Sequence, residues 1–156
     1  MAQPRKLATA KKVADAAAAE AAKLKWDAFC ITIVGPSGDL VYFEKLDNCQ
    51  YASIEISQHK ARTAARYRRP TLVFERLLAK GGFFAYLTTL DNVIASRGGN
   101  PLIVGGKVIG AIGVSGGAGS QDAPCRRLAS RALSNTVVNT MISAGIFIRT
   151  ELFEQF

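Results

Sequence analysis

Histidine and tryptophan each occur once in this chain, methionine twice and cysteine three times. The single imidazole, His59, excludes any histidine-rich metal centre. Cys30, Cys49 and Cys125 are widely spaced and form no C-x-x-C pair, so zinc-ribbon and thioredoxin-type motifs are absent. An odd cysteine count fits a reducing compartment. No apolar run reaches the roughly 18 residues that cross a bilayer. No apolar export segment follows the basic first residues, so a cytoplasmic location and no membrane partner are expected. Acid is scarce: 12 Asp and Glu face 20 Lys and Arg, a formal net charge of +8. Yet charged residues are only 21% and hydrophobic ones 49%, which excludes a disordered chain. Composition also excludes collagen, coiled coils and disulfide scaffolds. The 156 residues suit a single domain, with an apolar tail at 146–156.

The positive charge is clustered. Arg5, Lys6, Lys11 and Lys12 form one group. His59, Lys60, Arg62, Arg66, Arg68 and Arg69 form another, with no acid among them. Such clusters favour anionic partners. Nucleic acid is not expected, because the basic helix lacks the interleaved aromatics of a stacking platform. Glycine is plentiful and often paired, at Gly81-Gly82, Gly98-Gly99, Gly105-Gly106 and Gly116-Gly117, which predicts tight turns or loops close to a ligand.

Periodicity divides the chain. Residues 7–25 predict a helix: seven alanines lie between Ala14 and Ala22, and Thr9 is a candidate N-cap. Residues 28–34 and 40–46 are β-branched and aromatic, joined by Gly35-Pro36-Ser37-Gly38-Asp39, and read as an antiparallel hairpin. Residues 52–68 return to helix, with Ser53 as cap and Ile54, Ile56, Ala61, Ala64 and Ala65 as the apolar stripe. A short helix capped by Thr71 runs through Lys80. A loop and a strand ending near Ala95 are expected next. Residues 101–104 and 107–114 form the clearest hairpin, around Gly105-Gly106. A Gly-rich loop, Ser115 to Gly119, then opens a helix over about 122–143, capped by Asp122. The order predicts an α+β fold: a central antiparallel sheet of four to five strands with helices packed on it.

The strongest local signal for chemistry is that Gly-rich loop. Its backbone N–H groups and the helix N-terminus suit a carboxylate or small anion. It matches neither Walker A nor G-x-G-x-x-G. Ser115 fits G-x-S-x-G literally, but its strand belongs to an antiparallel hairpin, so a hydrolase elbow is not expected. Lys60 and Thr63, one turn apart, predict a pocket wall facing Ser115, Gly116 and Gly117. Asp47 and Asp122 are the candidate proton carriers. His59 is the only candidate iron ligand, and a lone histidine is more often structural.

Residues 98–104 (Gly-Gly-Asn-Pro-Leu-Ile-Val), 110–117 (Gly-Ala-Ile-Gly-Val-Ser-Gly-Gly) and Gln121-Asp122 resemble the signature of the GlcG/HbpS-like family. Residues 34–41, Leu46-Asp47, 53–56, 60–64 and 69–71 stand in the family's order. The resemblance covers about residues 7–144. It implies a compact α+β domain, assembly into a symmetric homo-oligomer of four or more chains, and haem as the best-known ligand. Members stand beside glycolate and propanediol utilisation genes, act as an extracellular haem-binding redox sensor, and form the C-terminal domain of some cobalamin adenosyltransferases. Members often carry a histidine in the first hairpin turn; here Asp39 stands there, leaving His59 as the only imidazole. Two functions follow. One is binding of haem, another tetrapyrrole or a small carboxylate, with Lys60, Thr63, Gly99, Ser115, Gly116 and Gly117 as ligand contacts. The other is a cofactor-independent isomerase or tautomerase of a catabolic operon, moving a proton on a small or aromatic carboxylate through Lys60, Asp47 and Asp122.

Overall fold

The computed structural model describes residues 6–23, 25, 27–104 and 106–116. The predicted last helix, the apolar tail, Gly117, Asp122 and Cys125 lie outside the described residues. Helix α1 spans Lys6–Lys23, strands β1 and β2 span Cys30–Val34 and Leu40–Lys45, and helices α2 and α3 span Ala52–Tyr67 and Thr71–Ala79. A 3-10 helix covers Gly82–Thr89, and strands β3 and β4 span Gly99–Val104 and Lys107–Ser115. The described strands form one sheet, ordered β2-β1-β4-β3. Every pairing is antiparallel, as the hairpin signals predict.

Period-2 alternation gives each sheet face to a different helix. Phe29, Ile31 and Ile33 of the β1 segment, Ile112 and Val114 of β4, and Leu102 of β3 point to one side. They bury against Ala10, Val13, Ala14, Ala17 and Ala21 of α1. The alanine run thus serves as a flat face with little side-chain entropy to lose. Each fully buried Ile or Val there contributes about 1.5–3 kcal/mol of transfer free energy.

The opposite face carries α2. Val34 and Ala111 pack there against Ala61, Ala64 and Ala65. Here the structure corrects the predicted stripe. Ile54 and Ile56 are only half-buried, whereas Ser53, Ser57, Lys60, Ala61, Thr63, Ala64 and Ala65 are buried. The reason lies in the strands beneath. Gly99 and Gly113, paired across β3 and β4, leave no side-chain layer. A β-carbon on Gly113 would overlap the Ser57 carbonyl oxygen, and one on Gly99 that of Lys60. The helix backbone comes so near that only small side chains fit between, and buried hydroxyls find partners. The Ser57 hydroxyl donates to Ile54 O at 2.9 Å and so accepts from Thr32 Oγ1 at 2.8 Å.

Three predicted caps are also corrected. Helix α1 begins at Lys6, so Thr9 lies inside it. Tyr51 leads α2 without a side-chain cap bond, and Ser53 is buried in its first turn. Pro70 leads α3, and the Thr71 hydroxyl instead reaches Gly99. The strand expected near Ala95 is absent: the aromatic run folds as the 3-10 helix, and residues 90–98 are turn and bend. Aromatic composition favours strands, but among the described strands none pairs with this segment. Phe83 and Tyr86 pack on each other instead, with ring centroids 5.5 Å apart.

Candidate functional site

Two neighbourhoods on the α2 face hold most of the candidate residues. The first is the junction of α2 with β3 and β4. Lys60 is only 3% exposed. Its ammonium donates to Val114 O at 3.4 Å. Val114 N donates to Gly98 O at 2.9 Å, and Gly98 holds a left-handed φ of +113°. A β-carbon at Gly98 would stand 3.2 Å from Lys60 Nζ, so this glycine makes room for the cation.

Among the described acids, Glu75 of α3 feels the charge of Lys60, as the smallest of its contributions. Glu75 receives the Arg97 backbone N–H at 2.8 Å and grips its guanidinium through Nε and NH2. Those hydrogen bonds hold the Glu75 carboxyl below its ordinary value, with partial burial opposing them. Thr71 completes this corner: its hydroxyl accepts from Gly99 N at 2.9 Å and donates to Gly99 O at 3.4 Å. Sequence reading missed Glu75 and Arg97. They stand 22 residues apart, and no local pattern joins them.

Placement of the other candidates is equally specific. The Thr63 hydroxyl donates to Asn92 O at 3.3 Å and accepts Ile94 N–H at 3.1 Å, so it pins the 92–94 turn. Ser115 is buried at the end of β4, opposite Cys30, and its carbonyl receives a weak bond from Cys49 Sγ at 3.9 Å. A β-carbon on Gly116 would overlap the Ala28 carbonyl, so this glycine packs on the start of β1. Asp47 is exposed after β2, where its carbonyl accepts from Lys45 Nζ at 3.4 Å. His59 is half-buried on α2.

The second neighbourhood surrounds the first hairpin turn. Arg66 donates through Nε to Ser37 O at 3.0 Å. A β-carbon on Gly38 would stand 2.9 Å from Arg66 Nε and 3.5 Å from Arg62 Cγ. His59, Arg62 and Arg66, at i, i+3 and i+7, share one helix face. Beside the turn lies a cleft of about 330 Å³ lined by Pro36, Ala65, Arg68, Gly106, Lys107 and Val108. Among the described residues, the salt bridges involve neither Arg62, Arg66, Arg68 nor Lys107. The cleft therefore offers two cations over an apolar floor. Arg68 sits there in an unusual backbone state. It closes α2 with φ +54°, its N–H reaching Ala65 O at 3.3 Å. Glycine takes that conformation freely, while a β-branched or longer side chain costs about 1–2 kcal/mol.

Sequence and structure comparisons agree on relatives. Residues 6–131 match the family model described as haem degrading protein HbpS-like. A 15.0 kDa protein encoded between dhaT and dhaS in Citrobacter freundii is 36% identical over 129 residues, covering 81% of this chain and 88% of that protein. The crystal structure of the Klebsiella pneumoniae protein ORFY superposes with a TM-score of 0.75 at 28% identity, covering 82% of this chain and 87% of that one. A complex of PduOC with haem shares the fold, with a TM-score of 0.72 at 20% identity over 86% of this chain and 94% of that one. With the ordered glycine motifs and the four-stranded sheet, these matches establish that the chain belongs to the HbpS-like family.

Proposed function

We propose that this protein binds a small molecule rich in carboxylates, haem or another tetrapyrrole foremost, by setting its acid groups against Arg68 and Lys107. The carrying observation is Arg68: a left-handed backbone position holds a cation at a cleft whose described lining residues include no acid. This left-handed cap fixes the direction in which the chain, and with it Arg68, leaves α2. The cleft suits the propionate edge of a tetrapyrrole, with Pro36, Ala65 and Val108 against the ring margin. Its described lining residues include no histidine, cysteine, methionine or tyrosine, so they fit haem's carboxylates and not its iron. The resemblance to PduOC, seen in complex with haem, supports the choice of ligand class. The same reading places the protein in the cytoplasm as a homo-oligomer of four or more chains.

Titration with haemin and with iron-free protoporphyrin IX tests this. If carboxylates are what is recognised, both bind with similar affinity. Arg68→Gln and Lys107→Gln each weaken both about tenfold, the value of one charge-assisted hydrogen bond partly screened by solvent. Unchanged binding in the double variant refutes the assignment. Loss of haemin binding alone in His59→Ala would move the site to the outer face of α2.

A second reading, proton transfer on a small carboxylate, is favoured by one observation. Lys60 buries its ammonium beside the β4 end that leads to Ser115 and Gly116. Buried lysines are readily tuned for acid–base work. Solvent-deuterium exchange at carbon next to the carboxyl, followed by NMR over a panel of carboxylic acids, tests it. Exchange must disappear in Lys60→Met; absence of exchange in the parent protein eliminates the reading.

A further inference from the structure

Cys30 and Cys49 are separated by 18 residues in sequence, yet their sulfur atoms stand 2.7 Å apart. An S–S bond is about 2.05 Å, so a small displacement separates this thiol pair from a disulfide. Both side chains are buried; Cys30 is 0% exposed and Cys49 is 6% exposed. Two bonds tie the Cys49 loop to the β1 segment, and a third closes the loop on itself. Leu46 N donates to Phe29 O at 3.1 Å, and Cys49 N donates to Leu46 O at 3.1 Å. Asn48 Nδ2 donates to Asp27 Oδ2 at 3.0 Å. The juxtaposition is therefore held by one backbone and one side-chain bond between the residues just before each cysteine.

We propose that Cys30 and Cys49 are an oxidative modification site, a dithiol that peroxide-class oxidants convert reversibly to an intramolecular disulfide, with Cys49 attacking first. Cys49 is the more exposed of the two residues. Burial, with the adjacent Cys49, pushes the Cys30 thiol up to about 12, so Cys30 stays protonated until its partner has reacted. The Cys49 thiolate, having released its proton to water, attacks one peroxide oxygen. The O–O bond breaks, leaving a sulfenic acid on Cys49 and hydroxide, which takes up a proton as water. Cys30 sulfur then attacks the Cys49 sulfur. The S–O bond breaks, the departing hydroxide takes the Cys30 proton, and a second water leaves. Two thiols lose two electrons and one peroxide gains them. A dithiol reductant reverses the reaction by exchange.

The disulfide closes the β1–β2 hairpin and the loop to α2 into one covalent ring. It also removes the thiol hydrogen that Cys49 can offer to Gln50 O at 3.6 Å or to Ser115 O at 3.9 Å. This proposal stands apart from the cleft at Arg68 and survives if that assignment fails.

The test uses the full chain with Cys125→Ser, so that two cysteines remain. The protein is treated with hydrogen peroxide, unfolded under alkylating conditions and mapped by mass spectrometry without reductant. The expected result is one linked peptide pair joining Cys30 to Cys49, an intact mass lower by about 2 Da, and full recovery of both thiols with dithiothreitol. In a further Cys30→Ser change, dimedone should trap the sulfenic acid on Cys49. Two alkylated thiols after peroxide, a sulfinic acid in place of the link, or a link only between two chains overturns the proposal. Dimedone capture on Cys30 when Cys49 is changed to serine, but none on Cys49, overturns the assigned order.

Discussion

A β-carbon placed on Gly113 would stand 2.6 Å from the backbone nitrogen of Ala61. Like the approaches of Gly113 to Ser57 O and of Gly99 to Lys60 O, this contact is backbone to backbone, so neither side can rotate away and α2 is set directly over the sheet. Gly113→Ala is therefore expected to destabilise the protein by about 3 kcal/mol or more, at the upper end of overpacking effects. Chemical denaturation measures it. A loss below about 1 kcal/mol would mean that the helix can lift from β4 without cost.

Arg68→Gly should act in the opposite direction on stability. Relief of the left-handed backbone is worth about 1–2 kcal/mol, and the greater freedom of glycine in the unfolded chain removes about half of that. The net expectation is a gain of about 0.5–1 kcal/mol together with weaker tetrapyrrole binding. Thermal unfolding and titration of one preparation read both. A destabilised Arg68→Gly protein would show that the arginine is kept for packing.

Glu75 predicts a pH signature. Its carboxyl is held below the ordinary 4.5, first by the Arg97 side-chain hydrogen bonds. The folded state therefore binds the proton more weakly than the unfolded state. The stabilisation is complete above the unfolded value and is lost as pH falls through the lower folded one. At neutral pH, Glu75→Gln should cost about 1 kcal/mol, discounted because both partners remain partly exposed. The difference between variant and parent should shrink steadily below about pH 4.5. A difference that stays constant down to strong acid would contradict the ion-pair origin.

Assembly is open to a direct check. Tyr51 and Phe83 are 85% and 83% exposed, and Tyr86, Leu40 and Ile109 are exposed as well. Large apolar groups in such number favour burial against another chain. Light scattering at micromolar concentration is expected to report four or more copies. A monomer would remove the oligomer from the proposal and leave the Arg68 cleft untouched.

The described elements were largely legible because their signals are local. The β-branched run of Cys30–Val34, the Gly-Gly hairpin leading into Lys107–Ser115 and the alanine run of α1 are each signals within one segment. The helix caps were not, since a hydroxyl can serve its own backbone or a distant one. Thr71 bonds to Gly99, 28 residues away, and Thr63 to Asn92, 29 away. Lys60 and Ser115 were recognisable as candidates, but their surroundings were not. Glu75, which feels the charge of Lys60, comes from α3.

By itself the sequence determined the α+β class, the antiparallel hairpins and the concentration of positive charge on α2, because each depends on neighbours along the chain. The tertiary structure alone decided which face of α2 is buried. Glycines on β3 and β4 admit the helix backbone there, and hydrophobicity counted along α2 would have turned Ile54 and Ile56 inward. It likewise decided that Cys30 meets Cys49 and that Arg68 and Lys107 share a cleft with Pro36. Those encounters join segments from different strands and loops, and their geometry exists only once the sheet has closed.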